Sequence, residues 1–263
     1  MGTSKFAVIL PAAGRSSRFG DPKHKKVYAE LDGRAVWLRA VEPFVNRDDV
    51  AQRIIVIAPE DREVFERRFR PSVAFMDIKV IEGGAERYDS VARALEAVDQ
   101  ACEFVAIHDA ARPCITSEMI DAVFDAAIAH GAALLAVPVS DTVKRVNADH
   151  FTVETVPRQG LYLAQTPQVF RRELIVRAYA NRARVDASVT DDTQLVEALG
   201  HAVAVVEGSP MNLKITTTAD LRMAAAVLQA LPKPKREGPA HPFADEHAMW
   251  ESTPKIRPKD LFD

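Results

Sequence analysis

KFAVILPAAGRSSRFGDPKHKKVY, residues 5–28, is the stretch on which the fold turns. FAVIL is a continuous apolar run closed by Pro11, so Lys5–Pro11 reads as a strand buried on both faces. Such a strand needs helices above and below it. Ala12, Ala13 and Gly14 follow at once. Then Arg15, Arg18, Lys23, Lys25 and Lys26 surround a single acid, Asp21, in a chain of net charge −3. Gly14 has no side chain to keep a ligand off the backbone. N–H groups exposed at such a turn favour anions. Arginine grips a phosphate with two parallel bonds, and lysine adds a mobile point charge. A polyphosphate ligand explains both the small residues and the cations; a solvated basic loop explains only the cations. The loop is neither G-x-x-x-x-G-K-[ST] nor G-x-G-x-x-G.

The strand–helix alternation continues outward. Residues 35–45 read as helix, Arg53–Ala58 as a second buried strand, Glu60–Arg70 as a charged helix and Asp77–Ile81 as a third strand closed by Gly83 and Gly84. Val91, Ala94, Leu95 and Val98 mark one face of the next helix. Phe104–His108 is a fourth strand. Ile120, Val123, Phe124, Ala127 and Ile128 mark another helix, with Gly131 placed to end it, and Ala132–Val139 is a fifth strand. The expected fold is α/β, a mostly parallel sheet with helices on both faces. Ligands of such sheets bind beyond the carboxyl ends of the strands. That rule points to the residues after Pro11, after Ala58, at Glu82–Gly84, at His108–Arg112 and after Val139.

Beyond Val139 the pattern changes. Residues 141–157 alternate loosely, as an extended arm or hairpin. Helical segments return near Arg171–Arg182 and Asp191–Leu199, followed by a strand at Ala202–Val206. Thr218 is placed to cap a last helix whose apolar face is Leu221, Ala224, Ala225 and Leu228. The expected division is a domain over 1–231 and a tail over 232–263, where six of the 16 prolines fall and no period is visible.

The totals narrow the class. A hydrophobic fraction of 48% supports a sizeable core. The balance of 34 basic against 37 acidic residues argues against general nucleic-acid binding. No apolar run reaches the roughly 18 residues of a membrane span, and the start is too short for a secretory signal. Phe6 stands where myristoylation expects Ser or Thr. Cys102 and Cys114 fit no metal or redox spacing, which suits a reducing cytoplasm.

Seven stretches in order carry a resemblance: LPAAGRSSRFG with KKVYAEL, EGGAERYDSV, VAIHDAARP, AVPVSDTVKRV, QTPQVF, TDDTQLVE and VEGSPMNLKITTTADL. From about Phe6 to Leu231 the chain resembles the 2-C-methyl-D-erythritol 4-phosphate cytidylyltransferases, which act in the non-mevalonate route to isoprenoid precursors. The resemblance implies a Rossmann-like twisted sheet of the nucleotide-diphospho-sugar transferase kind with an extended β-arm. It implies CTP as co-substrate, Mg²⁺ as divalent cation, and a homodimer formed through the arm. Arg18 matches the arginine that stabilises the pentavalent phosphorus, and Lys26 matches the family's essential lysine, which precedes an apolar-aromatic pair. The loop is one residue longer than the family pattern, so Lys25 competes with Lys26, and Ser16 stands where the family has a second glycine. Pro11, Ala12, Ala13, Gly14, Gly83, Gly84 and Ser90 match CTP contacts. Asp109 matches the carboxylate that holds the metal. Arg112, Thr142, Arg158, Thr166, Thr190 and Lys214 match the polyol phosphate site, with Arg158 and Lys214 also catalytic and Arg158 reaching a partner's site; VPRQGLY departs from the usual pattern there. His108 reads as structural, since histidine suits zinc or iron better than magnesium. Taken singly, the glycine pair also fits a plain turn, Asp109 a loop cap and each threonine a surface strand. Two other functions stay open: a cytidylyltransferase for another polyol phosphate, such as ribitol 5-phosphate, and an inactive CTP-binding regulator.

Overall fold

In the computed structural model, residues 4–14, 16, 19, 25–182, 185 and 189–231 are described. Seven strands form one sheet: β1 (Phe6–Pro11), β4 (Val50–Ile57), β5 (Ile78–Glu82), β6 (Phe104–Ile107), β7 (Ala132–Pro138), β10 (Tyr162–Arg171) and β11 (Ala204–Glu207), in the order β11-β7-β10-β6-β1-β4-β5. β1 pairs in parallel with β4 and β6, β4 with β5, and β7 with β11. The mostly parallel expectation therefore holds.

β1 shows how the apolar run is used. Successive side chains of a strand face opposite ways. Phe6, Val8 and Leu10 join one core with Trp37, Phe65, Phe69 and Phe124. Those partners come from α1 (Val36–Val41), α2 (Arg62–Phe75) and α4 (Ser117–His130). Ala7 and Ile9 join a second core with Val91, Leu95, Leu174, Ile175, Leu195 and Val196. These come from α3 (Arg87–Glu96), α5 (Arg172–Ala180) and α6 (Thr193–Glu197). The Phe6 ring stacks between Phe104 at 5.2 Å and Phe124 at 3.8 Å.

β10 is not foreseen by the sequence pattern. It lies between β6 and β7 and is antiparallel to both. Its sequence, YLAQTPQVFR, carries Pro167, which cannot donate to a ladder, and the pairing with β7 shifts register between Ala164 and Gln168. Its direction follows from the arm. The chain leaves β7, makes the hairpin β8 (Val143–Val146) and β9 (Thr152–Val156), and re-enters beside β7 running back. The hairpin forms its own two-stranded sheet, as does the small pair β2 (Glu30–Leu31) and β3 (Arg34–Ala35).

Other boundaries move for local reasons. α2 continues past Arg70 with Pro71 inside it. The 35–45 helix is α1 followed by a 3₁₀ turn, Glu42–Phe44, with Pro43 at its start. Gly131, at φ 82°, ends α4 as expected. The last helix, α7 (Thr218–Ala230), is capped by Thr217 instead of Thr218: the Asp220 N–H donates to Thr217 Oγ1 at 3.3 Å, and the Thr217 N–H to Asp220 Oδ2 at 2.7 Å. One compact unit ends at Gln229. The proposed tail, 232–263, lies outside the described residues. No helix among the described residues is long and apolar enough to cross a membrane.

Candidate active site

The carboxyl ends of β1, β4, β5 and β6 open into a cavity of about 770 Å³. Four of the five strand ends singled out by the sequence therefore contribute; the end of β7 does not. Pro11, Ala12, Ala13, Gly14, Lys26, Gly83, Gly84, Ser90, Asp109 and Lys214 all line it. A Cβ on Gly14 would meet nothing within 4 Å, so the backbone there is open to a ligand.

Gly83 and Gly84 are required by packing. A Cβ on Gly83 would fall 2.5 Å from Ser90 Oγ and 2.9 Å from the Ala13 Cβ; one on Gly84 would fall 2.3 Å from the Asp89 Cβ. Ser90 fixes this loop from beneath. Its hydroxyl accepts from the Gly84 N–H at 3.1 Å and donates to the Glu86 carbonyl at 3.1 Å. Glu86 and Asp89 cap α3 reciprocally.

Asp109 is 8% exposed and surrounded by cations. Lys214 Nζ lies 2.9 Å from Oδ2, Arg112 Nε 3.5 Å from Oδ2, and Arg87 Nη2 3.9 Å from Oδ1. Burial raises the Asp109 pKa, but Lys214, Arg87 and Arg112 together outweigh it and hold the carboxyl far below the usual carboxylate range. The group is ionised throughout the physiological range.

Behind Asp109 lies a closed set of hydrogen bonds. The Asp109 N–H donates to Thr166 Oγ1 at 3.0 Å, and Thr166 Oγ1 lies 3.2 Å from His108 Nδ1. His108 Nε2 lies 3.1 Å from the Arg112 carbonyl, which can only accept. The proton therefore sits on Nε2, and Thr166 donates to Nδ1. Burial lowers the His108 pKa to about 4, so the ring is neutral and structural, as its sequence suggests. Arg112 Nη1 donates to the Asn212 carbonyl at 2.7 Å, and Asn212 Nδ2 to the Thr166 carbonyl at 3.0 Å. Thr166 and Arg112 thus stand behind the carboxylate; neither lines the cavity.

The remaining expected residues separate. Lys26 lines the cavity, whereas Lys25 pairs with Asp61 at 2.7 Å and Glu60 at 3.2 Å. Ser16 has φ 54°, the positive region its glycine-like position implies. Thr142, Arg158 and Thr190 are exposed and do not line the cavity; Arg158 donates to the Ser140 carbonyl across the base of the arm. Arg18 lies outside the described residues, as do Arg15 and Lys23.

Sequence reasoning passes over Arg87. It lines the cavity and forms a two-point pair with the buried Asp192, at 3.1 and 2.7 Å. The Tyr179 hydroxyl donates to the same carboxylate at 2.5 Å. Burial would lower the Arg87 pKa, but Asp192 and Asp109 raise it. A signal was available: a cation in the first turn of a helix opposes the helix dipole and needs an acid nearby.

The sequence profile of the family "2-C-methyl-D-erythritol 4-phosphate cytidylyltransferase" matches residues 6–230. A relative of that name from Rhodopirellula baltica is 43% identical over 237 residues, covering 86% of this chain and 95% of its own. The crystal structure of 4-diphosphocytidyl-2C-methyl-D-erythritol synthase from Anaerococcus prevotii superposes with a TM-score of 0.73 at 29% identity, covering 87% of this chain and 100% of its own. The 2-C-methyl-D-erythritol 4-phosphate cytidylyltransferase from Thermus thermophilus superposes with a TM-score of 0.69 at 32% identity, covering 84% and 98%. With its motifs in order, its sheet shared and its strand ends gathered around one carboxylate, the chain belongs to the 2-C-methyl-D-erythritol 4-phosphate cytidylyltransferase family.

Proposed function

We propose that the chain carries out its family's reaction at this cavity. A phosphate oxygen of 2-C-methyl-D-erythritol 4-phosphate attacks the α-phosphorus of CTP. The bond to the bridging oxygen breaks, and pyrophosphate leaves with that electron pair. The product is 4-diphosphocytidyl-2-C-methyl-D-erythritol, on the non-mevalonate route to isoprenoid precursors. The observation that carries this reading is the meeting, in one cavity, of an open backbone at Gly14, a tightly packed glycine pair, Lys26, and Lys214 beside Asp109.

Such a displacement needs positioning and charge stabilisation more than covalent chemistry. Pro11–Gly14, Gly83 and Gly84 hold the nucleotide through backbone groups, with Ser90 fixing the glycine loop. Arg18 and Lys26 stabilise the charge that grows on the equatorial oxygens. Lys214 and Arg158 orient the attacking phosphate. Thr142 and Thr190 serve the polyol, and Thr166 and Arg112 act through Asp109.

Asp109 suits Mg²⁺, which prefers few protein carboxylates plus phosphate oxygens. It lines the cavity and is ionised, and among the described residues no group of three or more His, Cys, Asp or Glu forms a richer cage. Bound there, Mg²⁺ would neutralise phosphate charge. Lys214 then has two partners to choose between, the Asp109 carboxylate and a phosphate.

A homodimer through the arm completes the reading. The arm and the start of β10 expose Val146, Phe151 (71%), Val153, Leu161, Tyr162 and Leu163, an apolar surface that suits an interface. In that dimer Arg158 and Thr142 would serve the neighbouring cavity. The free, buried Cys102 and Cys114 suit the reducing cytoplasm. Residues 1–231 form the catalytic domain and 232–263 a tail.

The test is pyrophosphate release from CTP and Mg²⁺ with each polyol phosphate in turn. Release with methylerythritol phosphate is expected. Release with ribitol 5-phosphate alone would move the substrate, and CTP binding without release would make the protein a regulator.

A further inference from the structure

Two adjacent lysines end the basic loop, and they are held in different ways. Lys26 lines the cavity. Lys25 reaches the 3₁₀ turn Pro59–Asp61 that follows β4, where its Nζ lies 2.7 Å from Asp61 Oδ2 and 3.2 Å from Glu60 Oε1. The Tyr28 hydroxyl donates to the same Asp61 oxygen at 3.0 Å. The Lys25 and Asp61 side chains are only 17% and 15% exposed, so solvent screens this pair less than a surface ion pair. The turn they grip belongs to the cavity itself: Ala58, Pro59 and Glu60 line it. At the other end of the loop, Ser16 Oγ accepts from the Lys26 N–H at 3.2 Å. The backbone of Lys26 therefore lies between two fastenings.

We propose that Lys25, Asp61 and Tyr28 form a clasp that positions Lys26 for the nucleotide, making Lys25 a positioning residue and not a catalytic one. The inference rests on the assignment of Lys26 above. A lysine side chain is long and flexible. Its ammonium can be delivered to one place only if its backbone is fixed. The clasp ties that backbone to the end of a core strand, β4, whose residues Ile54–Ile57 are fully buried. Ser16 matters here for its hydroxyl: a glycine at this position would accept φ 54° more easily but could not receive the Lys26 N–H.

Four variants test the clasp: Lys25→Met, Lys25→Arg, Asp61→Asn, and Lys25→Met with Asp61→Asn. Two readouts are needed: kcat for pyrophosphate release, and hydrogen exchange of the Lys26 N–H without substrate. Lys25→Met and Asp61→Asn are each expected to lower kcat by about tenfold and to speed the exchange. Groups acting through one contact are non-additive, so the double variant should fall no further than the worse single one. Lys25→Arg keeps the charge and should stay within about threefold of the unaltered protein. Loss of all turnover in Lys25→Met with unchanged exchange would make Lys25 the reacting cation and overturn the proposal. Unchanged kcat and exchange in every variant would also overturn it. If the exchange responds as expected but the unaltered protein never releases pyrophosphate, the reaction is wrong and the clasp stands.

Discussion

The cavity and the arm are two halves of one expected site, built in opposite ways. Around the cavity, side chains are fixed by burial. Asp109 has three cations within 4 Å, its own N–H is tied to Thr166, and the glycine loop has no room for a Cβ. At the arm and just beyond it, Thr142 and Arg158 are exposed, and the hairpin forms a two-stranded sheet of its own. The described part of the first half comes from one chain and suits a ligand that must be held still. The second exposes apolar side chains, Phe151 and Val153 among them, that suit packing against another surface. That contrast supports the proposal that the nucleotide binds in the cavity and the polyol phosphate at a junction between copies.

The sharpest way to break the contrast is to remove one cation from the cavity. Lys26→Ala should lower kcat by roughly 10²–10³, the loss typical of one preorganised oxyanion donor. Steady-state pyrophosphate release measures it, and a loss below about tenfold would take Lys26 out of the reaction.

The arm is tested by mixing. Arg158→Ala should depress kcat/KM for the polyol phosphate with little change in CTP binding. Equal amounts of Lys26→Ala and Arg158→Ala chains, unfolded and refolded together, should recover roughly a quarter of the unaltered activity. Half the dimers are then mixed, and each mixed dimer has one cavity with both residues intact. No recovery, or sedimentation as a monomer at micromolar concentration, would confine the site to one chain.

Within the cavity half, His108 predicts a dependence on acid. Its pKa falls from 6.5 to about 4 because burial disfavours the charged ring. The stability it contributes is whole above about 6.5 and is lost as pH falls through about 4, by up to about 1.4 kcal/mol per pH unit. Urea unfolding of the unaltered protein and of His108→Gln between pH 7 and 4 should show this slope in the first and not in the second.

These elements were unequally legible in the sequence. Strands such as FAVIL and RIIVIA are apolar throughout, and each strand end could be read as a candidate ligand position. Gly83, Gly84 and Asp109 could be found there. β10 could not, because its buried Gln165, Thr166 and Gln168 are satisfied by partners distant in sequence and do not look like a core strand. Arg87 was signalled only by its place in the first turn of a helix, which calls for an acid; which acid was not legible, because Asp192 is 105 residues away. Polar pairs across such distances leave no period, so only the folded chain brings them together. That Lys25 pairs with Asp61 while Lys26 lines the cavity could not be read from any spacing within the loop.

The smallest expected effect concerns residues 232–263. The cavity-lining residues run from Pro11 to Lys214, and the family match ends at residue 230, where α7 also ends. Six prolines and a balanced set of charges give the segment little apolar surface with which to fold alone. Truncation after Leu231 should therefore leave kcat and both KM values within about twofold. Phe243, Met249, Trp250, Ile256 and Phe262 are the residues with enough apolar area to dock, and a rise of more than about tenfold in the polyol phosphate KM would mean that they contribute to its site. A change in the CTP KM alone would place them against the cavity. Either result would show that the cavity and the arm need a third part.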